Sequence, residues 1–260
     1  MHPLFSLKGQ TALITGAGSA EGIGFAAARL LAEMGAEVAI TATGLRIHQR
    51  VAELQEAGHT ARGYIVDLTD RPATRSMIEA VETAFGKIDI LVNNAGMTME
   101  GHEEESYEFA EMTDEAWDLS IARNLTTCYN VTRLVLPRMI RRKYGRIINV
   151  SSVTGPMVSS KGSSAYSAAK AAMVGMSRSI AIEVGMDNIT INNVAPGWIA
   201  TGSQLEDEKT AARYTPLKRA GTPMETASLI AYLATPGASY ITGQIMVVDG
   251  GNCLQEHKGP

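Results

Sequence analysis

Seven short apolar runs, each set off from the next by a stretch of helical period, constrain this chain more than any other feature. Residues 11–15, 37–41, 63–66 and 89–92 read as strands, and residues 23–34, 46–57 and 70–85 between them read as amphipathic helices. The rhythm continues with a long helix ending near Arg142, a strand at 146–150, a helix at 164–184, a strand at 189–194, a helix at 224–234 and a strand at 244–248. The strands lack polar alternation, so both of their faces must be buried, and strands joined through helices must run parallel. The expected fold is α/β: a single doubly wound Rossmann-type domain over residues 1–260, with a seven-stranded parallel sheet and helices on both faces. No linker, repeat or low-complexity tract marks a second domain.

Two segments break the rhythm. Residues 100–115 are acidic and read as a loop, and residues 198–217 lie between a strand end and a helix, where substrate lids often sit. Residues 252–260 form a C-terminal tail.

With 45% hydrophobic and 19% charged residues the composition is globular. A net charge of -4 supplies no field for nucleic acid or an anionic membrane surface. Cys128 and Cys253 are too few for a disulfide scaffold and too far apart for a metal knuckle, so no metal and a reducing, cytoplasmic compartment are expected. The first nine residues lack the apolar core of a signal peptide, and no run approaches the roughly 18 apolar residues of a membrane span.

Directly after the first strand comes Gly16-Ala17-Gly18-Ser19-Ala20-Glu21-Gly22-Ile23-Gly24, which opens a helix. Gly16 suits a tight turn, Gly22 lets backbone approach a pyrophosphate, and Gly24 lets the helix pack closely on the sheet. The helix N-terminus, from Ile23, offers N–H groups to phosphates. Glycines suit any strand-to-helix turn, so support must come from other strand ends. Asp67-Leu68 follows the third strand, placed either to bond an adenine or to cap a helix. Asn93-Asn94-Ala95-Gly96 follows the fourth, either leaving room for ribose or simply turning the chain.

Ser152 follows the fifth strand, Tyr166 lies fourteen residues later and Lys170 four beyond it. Side chains at i and i+4 share a helix face, so phenol and ammonium can project into one cleft. A nearby cation stabilises phenolate, which suits Tyr166 to general acid and base work, while Ser152 hydrogen-bonds the substrate oxygen. Tyr-x-x-x-Lys on its own is also common on ordinary amphipathic helices.

These residues, with Asn124, the Pro196-Gly197 pair and Val248-Asp249-Gly250-Gly251, resemble the short-chain dehydrogenases/reductases over nearly the whole chain. The runs at 195–201 and 240–244 look most like the 3-oxoacyl-carrier-protein reductase type. The resemblance implies that Asn124, Ser152, Tyr166 and Lys170 form a catalytic tetrad, with Asn124 helping to hold a water that links Lys170 to a proton relay. It further implies that Lys170 binds the nicotinamide ribose, that Ile199 and Thr201 meet the carboxamide, and that the protein is a homotetramer built through the helices around Asn124 and Tyr166. The chain departs from the family in its glycine loop, where Gly16 and Gly22 stand two residues farther apart than usual. Related enoyl reductases use a wider Tyr-to-Lys interval, which would require lysine at Met173.

The second strand runs into Thr41-Ala42-Thr43-Gly44-Leu45-Arg46 with no acid to bind ribose hydroxyls. Thr43 and Arg46 therefore favour NADP(H) over NAD(H), against which Glu21 stands beside Gly22 and Arg46 also reads as a solvated first-turn residue. Met97, Met99, Val153, Met157 and Trp198 suggest an apolar substrate wall, or merely packing. Arg138, Arg141, Arg142 and Lys143 either dock an acidic carrier or complement a helix dipole, and Glu103-Glu104-Glu105 reads as a solvated loop. The leading expectation is an oxidoreductase moving a hydride between a nicotinamide dinucleotide and a small carbonyl or secondary alcohol. A 3-oxoacyl thioester reductase and a non-catalytic dinucleotide-binding regulatory subunit are the alternatives.

Overall fold

The computed structural model describes residues 2–96, 106–256 and 259. Strands β1 (Thr11–Ile14), β2 (Glu37–Ala42), β3 (Ala61–Ile65), β4 (Ile90–Asn93), β5 (Gly145–Val150), β6 (Ile189–Pro196) and β7 (Ile245–Val248) form one sheet in the order β3-β2-β1-β4-β5-β6-β7. Every pairing is parallel. The chain winds outward from β1 to β3, returns to β4 on the other side of β1, and winds outward again. The reversal leaves a crevice at the carboxyl ends of β1 and β4, where such sheets bind ligands.

Burial on both faces is visible residue by residue. Ala12, Ile14, Ile90 and Val92 pack into one core with Leu31 of α1 (Ile23–Glu33), Leu54 of α2 (Arg46–Glu56) and Ile230 of α8 (Pro223–Ala234). Their neighbours Leu13 and Leu91 point the other way, to Ile78 of α3 (Arg71–Phe85), Val135 of α5 (Thr127–Arg142) and Val184 of α6 (Ser164–Val184). Alternate side chains thus feed two apolar layers, which accounts for strands with no polar face.

The long helix is a rod of three parts: α4 (Asp114–Ile121), a π turn (Ala122–Thr126) and α5. The acidic segment expected to loop is therefore helical from Asp114. Thr113 caps that start by accepting from the Ala116 N–H at 3.2 Å, and Asp114 and Glu115 complement the helix dipole in the first turn. Before it, residues 106–113 carry only a short 3-10 turn at Phe109–Glu111, and residues 100–105, with Glu103-Glu104-Glu105, lie outside the described residues. The 198–217 segment carries a short helix, α7 (Glu206–Ala212), whose first turn is all acidic. Among the described residues no helix is long and apolar enough to cross a membrane.

Candidate active site

The first wall of the crevice is backbone. Gly16 sits at φ 69°, and a Cβ there would lie 2.7 Å from the Cα of Ala95, so the turn after β1 touches the end of β4. The Thr15 Oγ1 accepts from the N–H groups of both Asn94 and Ala95 at 3.0 Å. Asn94 Nδ2 donates back to the carbonyls of Thr15 (3.1 Å) and Gly16 (2.9 Å). Gly24 is buried behind this knot, where a Cβ would meet Asn94 Nδ2 at 2.5 Å and the Gly16 oxygen at 2.6 Å. Gly24 therefore lets α1 pack against the turn and does not itself line the cleft. Gly22 is the N-cap of α1 and supplies no side-chain cap, leaving first-turn N–H groups beside the open cleft.

The cleft, about 1020 Å³, runs from this loop across Thr43, Arg46, Asp67 and Leu68 to Ser152, Tyr166, Ile199 and Thr201. Gly18, Ile23, Ala95, Gly96, Pro196 and Gly197 line it between. Asp67 is no helix cap: its carboxylate accepts from the N–H and hydroxyl of Thr69, and Asp70 caps α3. Asn93 does not reach the cleft. Its Nδ2 is spent inside the protein on Thr132 Oγ1 (2.9 Å) and Asn149 Oδ1 (2.8 Å), and Asn94 is the asparagine on the wall. A one-residue step along β4 reverses the side chain, which accounts for the exchange.

Helix α6 presents Tyr166 and Lys170 to the same cleft, with the Lys170 ammonium 5.5 Å from the centre of the Tyr166 ring. Lys170 is buried and donates to the Val150 carbonyl at 3.1 Å, while the Ser151 hydroxyl ties the Lys170 carbonyl to the end of β5 at 3.0 Å. Both of the paired serines line the cleft; Ser151 braces Lys170 through that bond, and the Ser152 Oγ accepts from the Thr154 N–H at 3.0 Å. Asn124 lies in the π turn, fully buried, donating to the Ser120 carbonyl at 3.1 Å. It is behind the wall rather than on it: a Cβ on Gly96 would lie 2.9 Å from Asn124 Oδ1 and 3.4 Å from Lys170 Nζ.

The Tyr166 end of the cleft differs from the apolar wall expected there. Val153 and Trp198 line it, but Met157 faces outward, and Met97 and Met99 lie outside the described residues. Ser106, Ser159, Ser160 and Ser163 stand there with Tyr107 and Met112, so the mouth is mixed and rich in hydroxyls. Arg123, beside Asn124, also lines the cleft; its adjacency to Asn124 was the only sequence signal for it. Glu21 is turned toward the 198–217 segment, its Oε2 2.9 Å from where a Gly202 Cβ would sit. The basic cluster is largely engaged within the chain: Arg138 pairs with Glu82, Arg142 donates to the Ile88 carbonyl and Lys143 pairs with Asp187. That agrees with cations placed at a helix C-terminus.

The family described as enoyl-(acyl carrier protein) reductase matches residues 16–252. The chain is similar to the oxidoreductase UcpA of Escherichia coli O157:H7, 38% identical over 262 residues and covering 96% of this chain and 97% of the relative. It is similar to the 3-oxoacyl-[acyl-carrier-protein] reductase FabG of Vibrio cholerae, 40% identical over 250 residues, with 95% and 98% covered. Among solved structures, a putative gluconate dehydrogenase from Agrobacterium tumefaciens superposes with a TM-score of 0.88 at 31% identity, covering 96% of this chain and 98% of that one. Met173, where the wider enoyl-reductase interval would need lysine, is buried in α6.

Cys128 lies under the site, its Sγ 3.5 Å from Asn149 Oδ1. Burial pushes its thiol up to about 12, with the Thr132 hydroxyl and the Lys170 ammonium offsetting only part of the rise. About one molecule in ten thousand would carry that thiolate near pH 8. A water-soluble disulfide reagent near pH 8 is therefore expected to modify only the partly exposed Cys253 in the native protein, and both thiols after denaturation. Two native thiols reacting at one rate would contradict the burial.

Proposed function

The chain belongs to the short-chain dehydrogenase/reductase family and is a nicotinamide-dinucleotide oxidoreductase, and from that premise we propose that Tyr166 is its general acid and base. When bound, the dinucleotide supplies the hydride for carbonyl reduction and takes it up in alcohol oxidation. The glycine loop and the uncapped N-terminus of α1 suit its pyrophosphate, with Asp67 and Leu68 beside the adenine. Ser152 hydrogen-bonds the substrate oxygen. Tyr166 gives that oxygen its hydroxyl proton in reduction and receives a proton from it in oxidation. The Lys170 ammonium stabilises the resulting phenolate, and Asn124 holds the Lys170 end of the proton path from behind Gly96. The observation that carries this reading is the ammonium set 5.5 Å from the Tyr166 ring inside the same cleft as the glycine loop.

The Tyr166→Phe enzyme should lose about 10²–10⁴-fold in kcat while its dinucleotide affinity is retained. Measured turnover equal to the parent's would remove Tyr166 from the chemistry.

NADP(H) is the preferred cofactor on this reading. Thr43 and Arg46 are exposed at the β2 end of the cleft, where no carboxylate would repel a 2′-phosphate, and Glu21 points to the lid instead. Direct titration should show NADPH binding more tightly than NADH, and Arg46→Ala should weaken NADPH selectively; equal losses for both would reassign Arg46.

The substrate is a small carbonyl compound or secondary alcohol, and the serines at the mouth favour one with further hydroxyl or other polar groups. The lid over it is the 198–217 segment. The 3-oxoacyl thioester reading draws on the likeness to FabG, but the basic cluster it would use for a carrier is mostly paired within the chain. A purely regulatory role falls away with the enzyme family. We place the protein in the cytoplasm as a homotetramer. Exposed Leu119, Tyr129 and Ile182 on α4, α5 and α6 support assembly through those helices. Light scattering should give four times the mass of the chain, and a monomeric mass would exclude it.

A further inference from the structure

Arg123 is a buried cation with no counterion among the described residues. Only 7% of its surface is exposed, its Nε has no hydrogen-bond partner, and among the described residues no ion pair engages it. Taking a guanidinium out of water is unfavourable unless an anion and hydrogen bonds replace the lost hydration. Helix termini and surface arginines escape this cost by facing solvent; Arg123 faces the cleft.

Its position on the rod says which part of the cleft it serves. Ala116, Ser120, Arg123 and Thr127 all line the cleft and form one stripe along the rod. The Thr127 hydroxyl donates to the Arg123 carbonyl at 2.7 Å, and one turn farther Asn130 Nδ2 donates to the Leu68 carbonyl at 2.9 Å, which binds the rod to the adenine wall. On the other side, the Arg123 carbonyl lies 3.8 Å from where a Gly96 Cβ would sit, next to the strand end that touches Gly16. Arg123 thus stands over the middle of the cleft, between the adenine wall and the Tyr166 end, where the phosphates of a dinucleotide laid along the cleft must pass.

We propose that Arg123 binds a phosphate of the dinucleotide, so that this cleft holds its cofactor by a fixed cation on the rod as well as by the N-terminus of α1. The proposal rests on the reading of the cleft as a dinucleotide site. A planar guanidinium suits a phosphate by paired charge-assisted hydrogen bonds, and a bound phosphate would give Arg123 the counterion that none of the described residues provides.

The test is titration of the full chain and of its Arg123→Met and Arg123→Lys variants with NADPH and NADH at several salt concentrations, alongside melting of the unliganded proteins. Arg123→Met should weaken binding about tenfold or more and flatten its salt dependence, with Arg123→Lys intermediate. Equal losses for both dinucleotides assign the pyrophosphate, and a loss confined to NADPH assigns the 2′-phosphate. The unliganded Arg123→Met protein should melt no lower than the parent, because an uncompensated buried charge has been removed, so weaker binding cannot be put down to misfolding. Should that variant fail to fold, Arg123→Lys decides through the same affinities. Unchanged dinucleotide affinity overturns the proposal, as does a rise confined to the KM of a carbonyl substrate, which would give Arg123 to a substrate anion. If the parent chain binds neither dinucleotide, the reading of the cleft fails first and this assignment falls with it.

Discussion

The contact between the turn at Gly16 and the end of β4 is the constraint on which the site depends. β1 and β4 are neighbours only because the winding reverses between them, and a Cβ at Gly16 would lie 2.7 Å from the Ala95 Cα. Four hydrogen bonds among Thr15, Gly16, Asn94 and Ala95 lock that approach. With the two strand ends held so close, the N-terminus of α1 is aimed along the crevice instead of over it. Each side chain placed at a later strand end then faces a wall whose position is fixed.

Beneath the site the sheet carries a polar seam. Asn93, Asn149 and Asn193 are in register on β4, β5 and β6. Asn93 donates to Asn149, Asn149 donates to the Ser177 hydroxyl at 2.9 Å, and that hydroxyl lies 2.9 Å from Asn193 Oδ1. Buried amides hold their places only when paired, so the seam sets strand register and fixes α6, which carries Ser177, against the sheet. Lys170 and Tyr166 are on the same helix, about two and three turns earlier. Their position over β5 is thus tied to a network that neither of them belongs to.

Much of this was legible in the sequence because it follows from local periodicity. The bounds of α6 and the seven strands could be read from apolar runs, and Gly16 and Gly24 from their place between a strand and a helix. The misreadings have a common origin in direction. Asn93 and Asn94 are equivalent as a dipeptide, but strand pleating sends one into the seam and the other to the cleft. Met157, read as substrate wall or packing, turns away from the cleft to solvent.

By itself the sequence determined the parallel layered sheet, the glycine turn and the i, i+4 placement of Tyr166 and Lys170, since each depends on neighbours within a few positions along the chain. Only the tertiary structure decided that Asn124 and Lys170 both approach Gly96, that Ser151 rather than Ser152 ties the Lys170 carbonyl to β5, and that Arg123 is buried on the cleft wall. Those outcomes turn on which face of an element is packed and against what. Periodicity along the chain marks a buried face but carries no record of the partner that covers it.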